Sequence, residues 1–408
     1  MNYSEALDWL YSTQFFGIKL GLESPRRLLR EYLAFPPRNT RVIHVAGTNG
    51  KGSTCAFIES VARATGSRTG LFTSPHLVEY SERIRVSGIE IRKDEVALHL
   101  SALRKLVAGW DPHPTFFEIS LALAMKYFSE HQCELIILET GMGGRLDATS
   151  VVPADVAVLT PIGMDHQEWL GDTLTKIASE KAAIIVPGKH VLSSTQLPEA
   201  TTVIKQIANE RRAPLAFVEE PLEGYALGLS GRHQQDNAGL ALEALHAAGI
   251  TLSYETVKAG LASTKWPGRF EVLSPSAGGN ASTLVLDIAH NPAAAMVLAA
   301  HWQSEFGDIK ADLILGAVES KDIGGILAAL VPISQHIHLV PVNSPRALPP
   351  EDLVSFLPGE HPSFTVHKTL QSALDSPKSL PTLVTGSAFL VGEVKSLRVQ
   401  SSHRTSAQ

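Results

Sequence analysis

Lys51 lies in the run Gly47-Thr48-Asn49-Gly50-Lys51-Gly52-Ser53, directly behind the apolar stretch Val42 to Ala46 and ahead of a helix-forming segment. Glycines let backbone N–H groups converge on an anion, an ammonium reaches terminal phosphates, and a helix starting here points its positive end at the same place. That is the chemistry of a nucleoside triphosphate cradle. The loop is a variant of the general pattern, which asks for glycine where Val45 stands and a hydroxyl directly after the lysine, where Gly52 stands. Such a turn can also simply join a strand to a helix; Lys51 and the hydroxyl pair Ser53-Thr54 favour the cradle.

Other polar residues fall where an open α/β sheet places ligands, just past the ends of apolar strands. Glu139 follows Leu135 to Leu138, and Asp165-His166 follows Val156 to Thr160. A hard cation takes a carboxylate together with phosphate oxygens. Spacing alone leaves Glu139 open between a metal ligand and a structural acid. It makes His166 a satisfied structural histidine, and Lys181, in Ser179-Glu180-Lys181-Ala182-Ala183, a solvated helix lysine.

The elements that must position these groups alternate along the chain. Short apolar runs are separated by helix-period stretches such as Leu121 to His131 and Leu174 to Val186, the mark of a parallel sheet flanked by helices. Ser193 to Val218 reads as mainly helical with a short strand, and Asp236 to Gly249 as an alanine-rich helix. Trp266-Pro267-Gly268-Arg269 stops a helix and turns the chain, after which Ser282 to Ile288, Asp312 to Ala317, Ile337 to Val342 and Thr382 to Thr385 form a second strand series. Domains 1–268 and 269–408 are expected. Ser274 to Ala281 reads as a surface turn and Ser401 to Gln408 as a polar tail.

A chain of 408 residues with 44% hydrophobic and 19% charged residues can bury two cores. Its net charge of −6 argues against nucleic acid or an anionic membrane as partner. Two cysteines, Cys55 and Cys133, no export-type N-terminus and no bilayer-length apolar run point to the reducing cytoplasm.

Taken in order, the loop at Gly47 to Ser53, Thr73-Ser74-Pro75-His76-Leu77, Ser81-Glu82-Arg83-Ile84-Arg85-Val86, Glu139 to Thr149, Asp165-His166, Glu180-Lys181-Ala182 and Asp287-Ile288-Ala289-His290-Asn291-Pro292 resemble the folylpolyglutamate synthase and dihydrofolate synthase family of the Mur-ligase superfamily. The resemblance runs from about Tyr3 to Glu393. It implies an N-terminal P-loop ATPase-like α/β domain with a parallel-rich sheet and a smaller C-terminal Rossmann-like α/β domain. It implies a ligase in which ATP phosphorylates a substrate carboxylate and the amine of L-glutamate attacks the acyl phosphate. Since an unactivated carboxylate has no good leaving group, phosphorylation must come first, and catalysis is positioning with charge neutralisation.

By the same resemblance, Gly47 to Ser53 hold the triphosphate, and Ser74, Glu139 and His166 bind Mg²⁺. Lys181 matches a carbamylated lysine that supports a second Mg²⁺. Asn237 and Arg269 match nucleotide contacts, with Arg269 gripping phosphate at the domain junction, and Asp287 and His290 match residues of the catalytic cleft. Thr115-Phe116-Phe117-Glu118 and Leu146-Asp147-Ala148 match the dihydropteroate pocket, although either ring could equally be core. Gly17 to Glu23 matches a loop near that pocket, and Arg346 and Ser387 match the glutamate side. Two departures stand out: Ile288 replaces a usual glycine, and Ser150 a usual asparagine. The implied substrates are dihydropteroate, tetrahydrofolate, L-glutamate and ATP, for a cytoplasmic monomer. A monofunctional folylpolyglutamate synthase, another Mur-type amino-acid ligase and a nucleotide-binding regulator without catalysis are the alternatives.

Overall fold

The computed structural model describes residues 1–16, 21–273, 283–319 and 321–399. Of the loop expected over Gly17 to Glu23, Gly17 to Leu20 lie outside the described residues, as do the turn at Ser274 to Ala281 and the tail at Ser401 to Gln408, while Glu23 already begins a helix. The chain divides into two units, the first comprising Met1–His76, Tyr80–Gly228 and Gln234–Lys265, the second Leu77–Glu79, Leu229–His233 and the chain from Trp266 onward.

In the first unit, β1 (Arg41–Ala46), β2 (Thr69–Phe72), β3 (Ile84–Val86), β4 (Ile89–Glu90), β5 (Leu135–Glu139), β6 (Val156–Leu159), β7 (His190–Ser194) and β8 (Leu215–Val218) form a sheet in the order β4-β3-β2-β5-β1-β6-β7-β8. From β2 to β8 the pairing is parallel, and β3 and β4 add an antiparallel edge. The central strands β1, β5 and β6 are buried on both faces, so they read as continuous apolar runs. Helices α1 (Tyr3–Ser12), α2 (Glu23–Glu31), α3 (Lys51–Ala64), α4 (Lys93–Leu106), α5 (Phe116–Glu130), α6 (Gln167–Leu170), α7 (Leu174–Ala182), α8 (Pro198–Glu210), α9 (Arg232–Ala247) and α10 (Tyr254–Ser263) cover it. One core lies among α1, α2, α4 and α5, and another under α7 and α8.

The second unit carries β9 (Glu271–Leu273), β10 (Leu284–Leu286), β11 (Ala311–Leu315), β12 (Ser334–Leu339), β13 (Ser363–Val366) and β14 (Thr382–Thr385), ordered β13-β12-β11-β14-β10-β9. Only β9, at an edge, runs antiparallel among these described strands. Helices α11 (Pro292–Phe306), α12 (Ile323–Leu330), α13 (Pro350–Leu353), α14 (Leu370–Leu374) and α15 (Ala388–Val399) follow. Trp302, fully buried, anchors the core on one face, and Leu286, Val384 and Leu390 that on the other.

Several element boundaries differ from the sequence expectation. The helix expected from Leu121 starts at Phe116, because Thr115 and Glu118 close a capping box ahead of it. The one expected to reach Val186 stops at Ala182, since Pro187 and Gly188 cannot continue it. In the segment read as mainly helical, Ser193 and Ser194 finish β7, and only Pro198–Glu210 is helix. The short strand β2 carries Gly70, which weakens its β pattern; a Cβ there would meet Phe128 at 2.7 Å. Among the described residues no helix is long and apolar enough to cross a membrane.

Candidate active site

Gly50, with φ of 86°, turns the chain from β1 into α3 and is its N-cap, and no side chain caps the helix. The first-turn N–H groups of α3 are thus left to an external anion. The loop is held by its neighbours. Thr48 N–H and Asn49 N–H donate to the Pro161 carbonyl at 2.9 and 3.2 Å. The Thr48 hydroxyl exchanges two 3.0 Å hydrogen bonds with the backbone of Gly163. A Cβ on Gly47 would fall 1.9 Å from Thr160 Oγ1, and one on Gly50 2.6 Å from Asn237 Oδ1, so both must be glycine. Asn237, on α9, therefore lies against the loop, where it also accepts from the Thr54 hydroxyl at 3.4 Å.

Lys51 Nζ donates to the carbonyls of Gly47 and Thr48, each at 3.1 Å. Lys181 is no solvated lysine: it is 4% exposed, and its Nζ donates to the Gly47 carbonyl at 2.8 Å. The glycine-rich stretch after β5 brings α7 into place. Gly144 lies so close to α7 that a Cβ would meet the Glu180 carbonyl at 2.7 Å, while Arg145 N–H donates to that carbonyl at 2.8 Å. Arg145 Nε is 2.9 Å from the Glu180 carboxylate.

Glu139, 4% exposed, ends β5 opposite Val45 of β1, two residues before the loop, and its carboxylate accepts the Ser74 N–H at 3.0 Å. Burial first, then the Glu139 charge, hold the buried Cys55 thiol well above its usual range. His166, which spacing alone makes a satisfied structural histidine, lies near the surface. It is 39% exposed, adopts a left-handed conformation with φ of 52° as the N-cap of α6, and stands 3.8 Å from the Asp165 carboxylate. Backbone of this kind in a residue with a Cβ is uncommon and clusters at functional sites.

The residues matched to a pterin pocket are occupied largely with holding the backbone. Glu118 accepts the Thr115 N–H at 2.6 Å within the α5 cap, and Phe116 and Phe117 are buried in the core. Asp147, buried, accepts N–H from Met142 at 2.9 Å and Thr149 at 3.0 Å; burial pushes its carboxyl up against those bonds. Leu146 is half-buried and Ala148 buried. Two groups given no role from sequence stand out beside them. Arg83 is fully buried: its Nε donates to His76 Nδ1 at 2.7 Å, its guanidinium carbon lies 5.0 Å from the Phe116 ring centre, and among the described residues its two terminal nitrogens have no hydrogen-bond partner. His44 Nε2, inside β1, is 2.7 Å from Thr149 Oγ1. For His44 the signal in sequence was a polar residue inside an otherwise apolar strand; Arg83, in the mostly polar Ser81 to Val86, carried no such signal.

In the second unit, Asp287, His290, Arg346 and Ser387 follow the carboxyl ends of β10, β12 and β14. Asp287 accepts N–H from Phe270 and Ala289, both at 2.8 Å; burial pushes its carboxyl up, and Arg269 pulls it back. His290 Nδ1 is 2.9 Å from the Ile288 carbonyl, the Ser387 hydroxyl accepts the Phe389 N–H at 3.1 Å, and Arg346 Nε is buried without a hydrogen-bond partner among the described residues.

Residues 45–194 match the Mur ligase middle domain. The dihydrofolate synthase/folylpolyglutamate synthase of Bacillus subtilis is 33% identical over 96% of this chain and 98% of that relative. The chain belongs to the dihydrofolate synthase/folylpolyglutamate synthase family. Solved structures of similar chains agree. That of Escherichia coli FolC in complex with DHPP and ADP has a TM-score of 0.84 at 32% identity, covering 97% of this chain and 98% of that one. A bifunctional folylpolyglutamate synthase/dihydrofolate synthase with Mn, AMPPNP and L-glutamate bound has a TM-score of 0.84 at 30% identity, covering 97% and 98%.

The departures from the family pattern fit the structure. Ile288 lacks the positive φ that would demand glycine, its N–H donates to the Gly268 carbonyl at 3.0 Å, and its side chain is buried in the core with Val391. Ser150 donates its hydroxyl to the Gly144 carbonyl at 2.6 Å, steadying the glycine-rich stretch. The donor set also suits the divalent ion of a dihydrofolate synthase/folylpolyglutamate synthase. Among the described residues no three His, Cys, Asp or Glu side chains could hold a metal by themselves. A buried carboxylate such as Glu139, completed by phosphate oxygens and water, is the sparse oxygen shell that Mg²⁺ accepts.

Proposed function

We propose that the protein is an ATP-dependent ligase that adds L-glutamate to 7,8-dihydropteroate, giving dihydrofolate, and to the γ-carboxylate of tetrahydrofolate, giving folylpolyglutamates. A carboxylate oxygen of the acid takes the γ-phosphoryl of ATP and ADP leaves. The glutamate amine then attacks the acyl carbon, and phosphate leaves as the amide forms. The observation that carries this reading is the convergence of Lys51 and Lys181 on one carbonyl beside the uncapped start of α3. The Lys51 ammonium and a row of N–H groups suit a polyanion, and Lys181 and Glu139 stand beside them.

Gly47, Thr48, Asn49, Gly50, Gly52 and Ser53 cradle the triphosphate, with Asn237, Arg269 and Asp287 as further nucleotide contacts. Ser74, Glu139 and His166 hold Mg²⁺, which when bound neutralises charge on the transferring phosphoryl group. Carbamylation of Lys181 would replace its ammonium by an acid able to support a second ion. Residues 1–268 serve nucleotide and pterin binding and 269–408 ligation, with His290 and Asp287 at the reacting end and Arg346 and Ser387 on the glutamate side. Thr115, Glu118, Leu146, Asp147 and Ala148 shape the pterin pocket. Arg83, a buried cation whose terminal nitrogens have no partner among the described residues, offers the acid substrate N–H donors for a carboxylate or carbonyl oxygen. The chain acts as a cytoplasmic monomer on small molecules, without nucleic acid.

The test is phosphate release from ATP with Mg²⁺ and L-glutamate, run separately with 7,8-dihydropteroate and tetrahydrofolate, with mass spectrometry for glutamate addition. Activity with both supports the reading, activity with tetrahydrofolate alone leaves a monofunctional synthase, and no addition to either overturns it.

A further inference from the structure

A polar chain runs from the centre of the first sheet into the loop after β5. His44, 1% exposed among Ile43 and Val45, places Nε2 2.7 Å from Thr149 Oγ1. Thr149, fully buried, donates its hydroxyl to the Asp147 carboxylate. A hydroxyl has one proton. With that proton on the carboxylate, Oγ1 accepts from His44, so the imidazole carries its hydrogen on Nε2. Burial pushes His44 down to about 3, which keeps the ring neutral. His44 thus makes Thr149 a committed donor toward Asp147.

The chain joins the centre of the sheet to the turn after β5. β1 is paired on both sides, by β5 and β6. In the stretch before Asp147, Gly141, Gly143 and Gly144 pack so closely that a Cβ on each would lie 2.8 Å from Phe117, 2.9 Å from Leu170 and 2.7 Å from the Glu180 carbonyl, so the turn is sensitive to where Asp147 is held. The geometry points to His44 as a positioning residue for the acid substrate, acting through Thr149 to fix the carboxylate of Asp147. This rests on the reading above that Asp147 helps form the pterin pocket. Were the chain only a cap for the turn Ala148–Val151, which Asp147 also closes through the Thr149 N–H, its loss would lower stability without singling out one substrate.

Steady-state kinetics of the full-length protein separate these roles. Thr149→Val keeps the shape and removes the hydroxyl, Thr149→Ser restores it, and Asp147→Asn serves as reference. The expected result is a rise of about tenfold in KM for 7,8-dihydropteroate in T149V, the factor a hydrogen bond to a charged group is worth. KM for ATP stays within about twofold and T149S behaves as wild type. His44→Gln, which keeps an N–H donor, should outperform His44→Leu in the same assay. If D147N raises that KM and T149V does not, the coupling through His44 is overturned and the pocket reading stands. Equal rises in both KM values for T149V reduce the chain to a structural one. An unchanged KM in D147N overturns the pocket reading and the coupling together.

Discussion

Lys51 and Lys181 donate to the same acceptor, the carbonyl oxygen of Gly47, at 3.1 and 2.8 Å. One lysine comes from the start of α3 and the other from the last turn of α7, so two elements far apart in sequence set one charge density. Two ammonium groups this close repel, and an anion between them relieves that repulsion.

Replacing either charge should therefore act on phosphoryl transfer. Lys51→Gln is expected to lower kcat by about 10²–10³, the scale of one lost charge-stabilising donor, measured as ADP release at saturating substrates. If Lys181 is carbamylated, removing dissolved CO₂ lowers activity and bicarbonate restores it, whereas Lys181→Gln is unresponsive. Equal response of both proteins would refute the modification.

Gly47→Ala puts a methyl group into Thr160, whose Oγ1 would be 1.9 Å from it. The loop must shift, and kcat/KM for ATP should fall by more than about tenfold with a stability loss of about 1–3 kcal/mol. Calorimetry beside the ATP titration checks both numbers, and an unchanged ATP response would sink the cradle reading.

Arg83 gives a prediction of opposite signs. A fully buried guanidinium with two unpaired nitrogens is costly without ligand, and burial pushes its pKa down. Arg83→Met should leave the melting temperature of the unliganded protein equal or higher while raising KM for the acid substrate about tenfold or more. A large drop in melting temperature would instead make Arg83 a structural residue.

The pH dependence follows from His44, whose folded pKa is depressed to about 3 from 6.5. The unfolded chain takes up its proton as pH falls below 6.5 and the folded one does not. Its contribution is thus full above about 6.5 and is lost progressively toward 3, at a limiting slope of about 1.4 kcal/mol per pH unit. Urea unfolding between pH 7 and 4 should show a shallower slope in His44→Gln than in wild type, by one proton. Identical slopes would show that His44 is not held neutral.

Parts of the fold were legible because their cause is local. The cradle is seven consecutive residues, and β1, β5 and β6 announce themselves as apolar runs because both faces are buried. The capping box of Thr115 and Glu118 went unread, because the resemblance drew attention to a pocket role for the same residues. The edge strands β9 and β13 were missed because partly exposed strands of three or four residues carry little pattern.

What the sequence by itself determined is the order of the elements, the phosphate loop with its lysine, and the strand-end positions of Glu139 and His166, all set by short-range stereochemistry. Tertiary structure alone decided that Lys181 is buried on Gly47, that Arg83 is sealed in without partners for its terminal nitrogens, and that His44 reaches Asp147 through Thr149. It also decided that Leu77–Glu79 and Leu229–His233 belong with the second unit. Each of these depends on which distant segments pack together, and burial, the main cause of the shifted protonation of His44 and Asp147, is a property of that packing and not of neighbours in sequence.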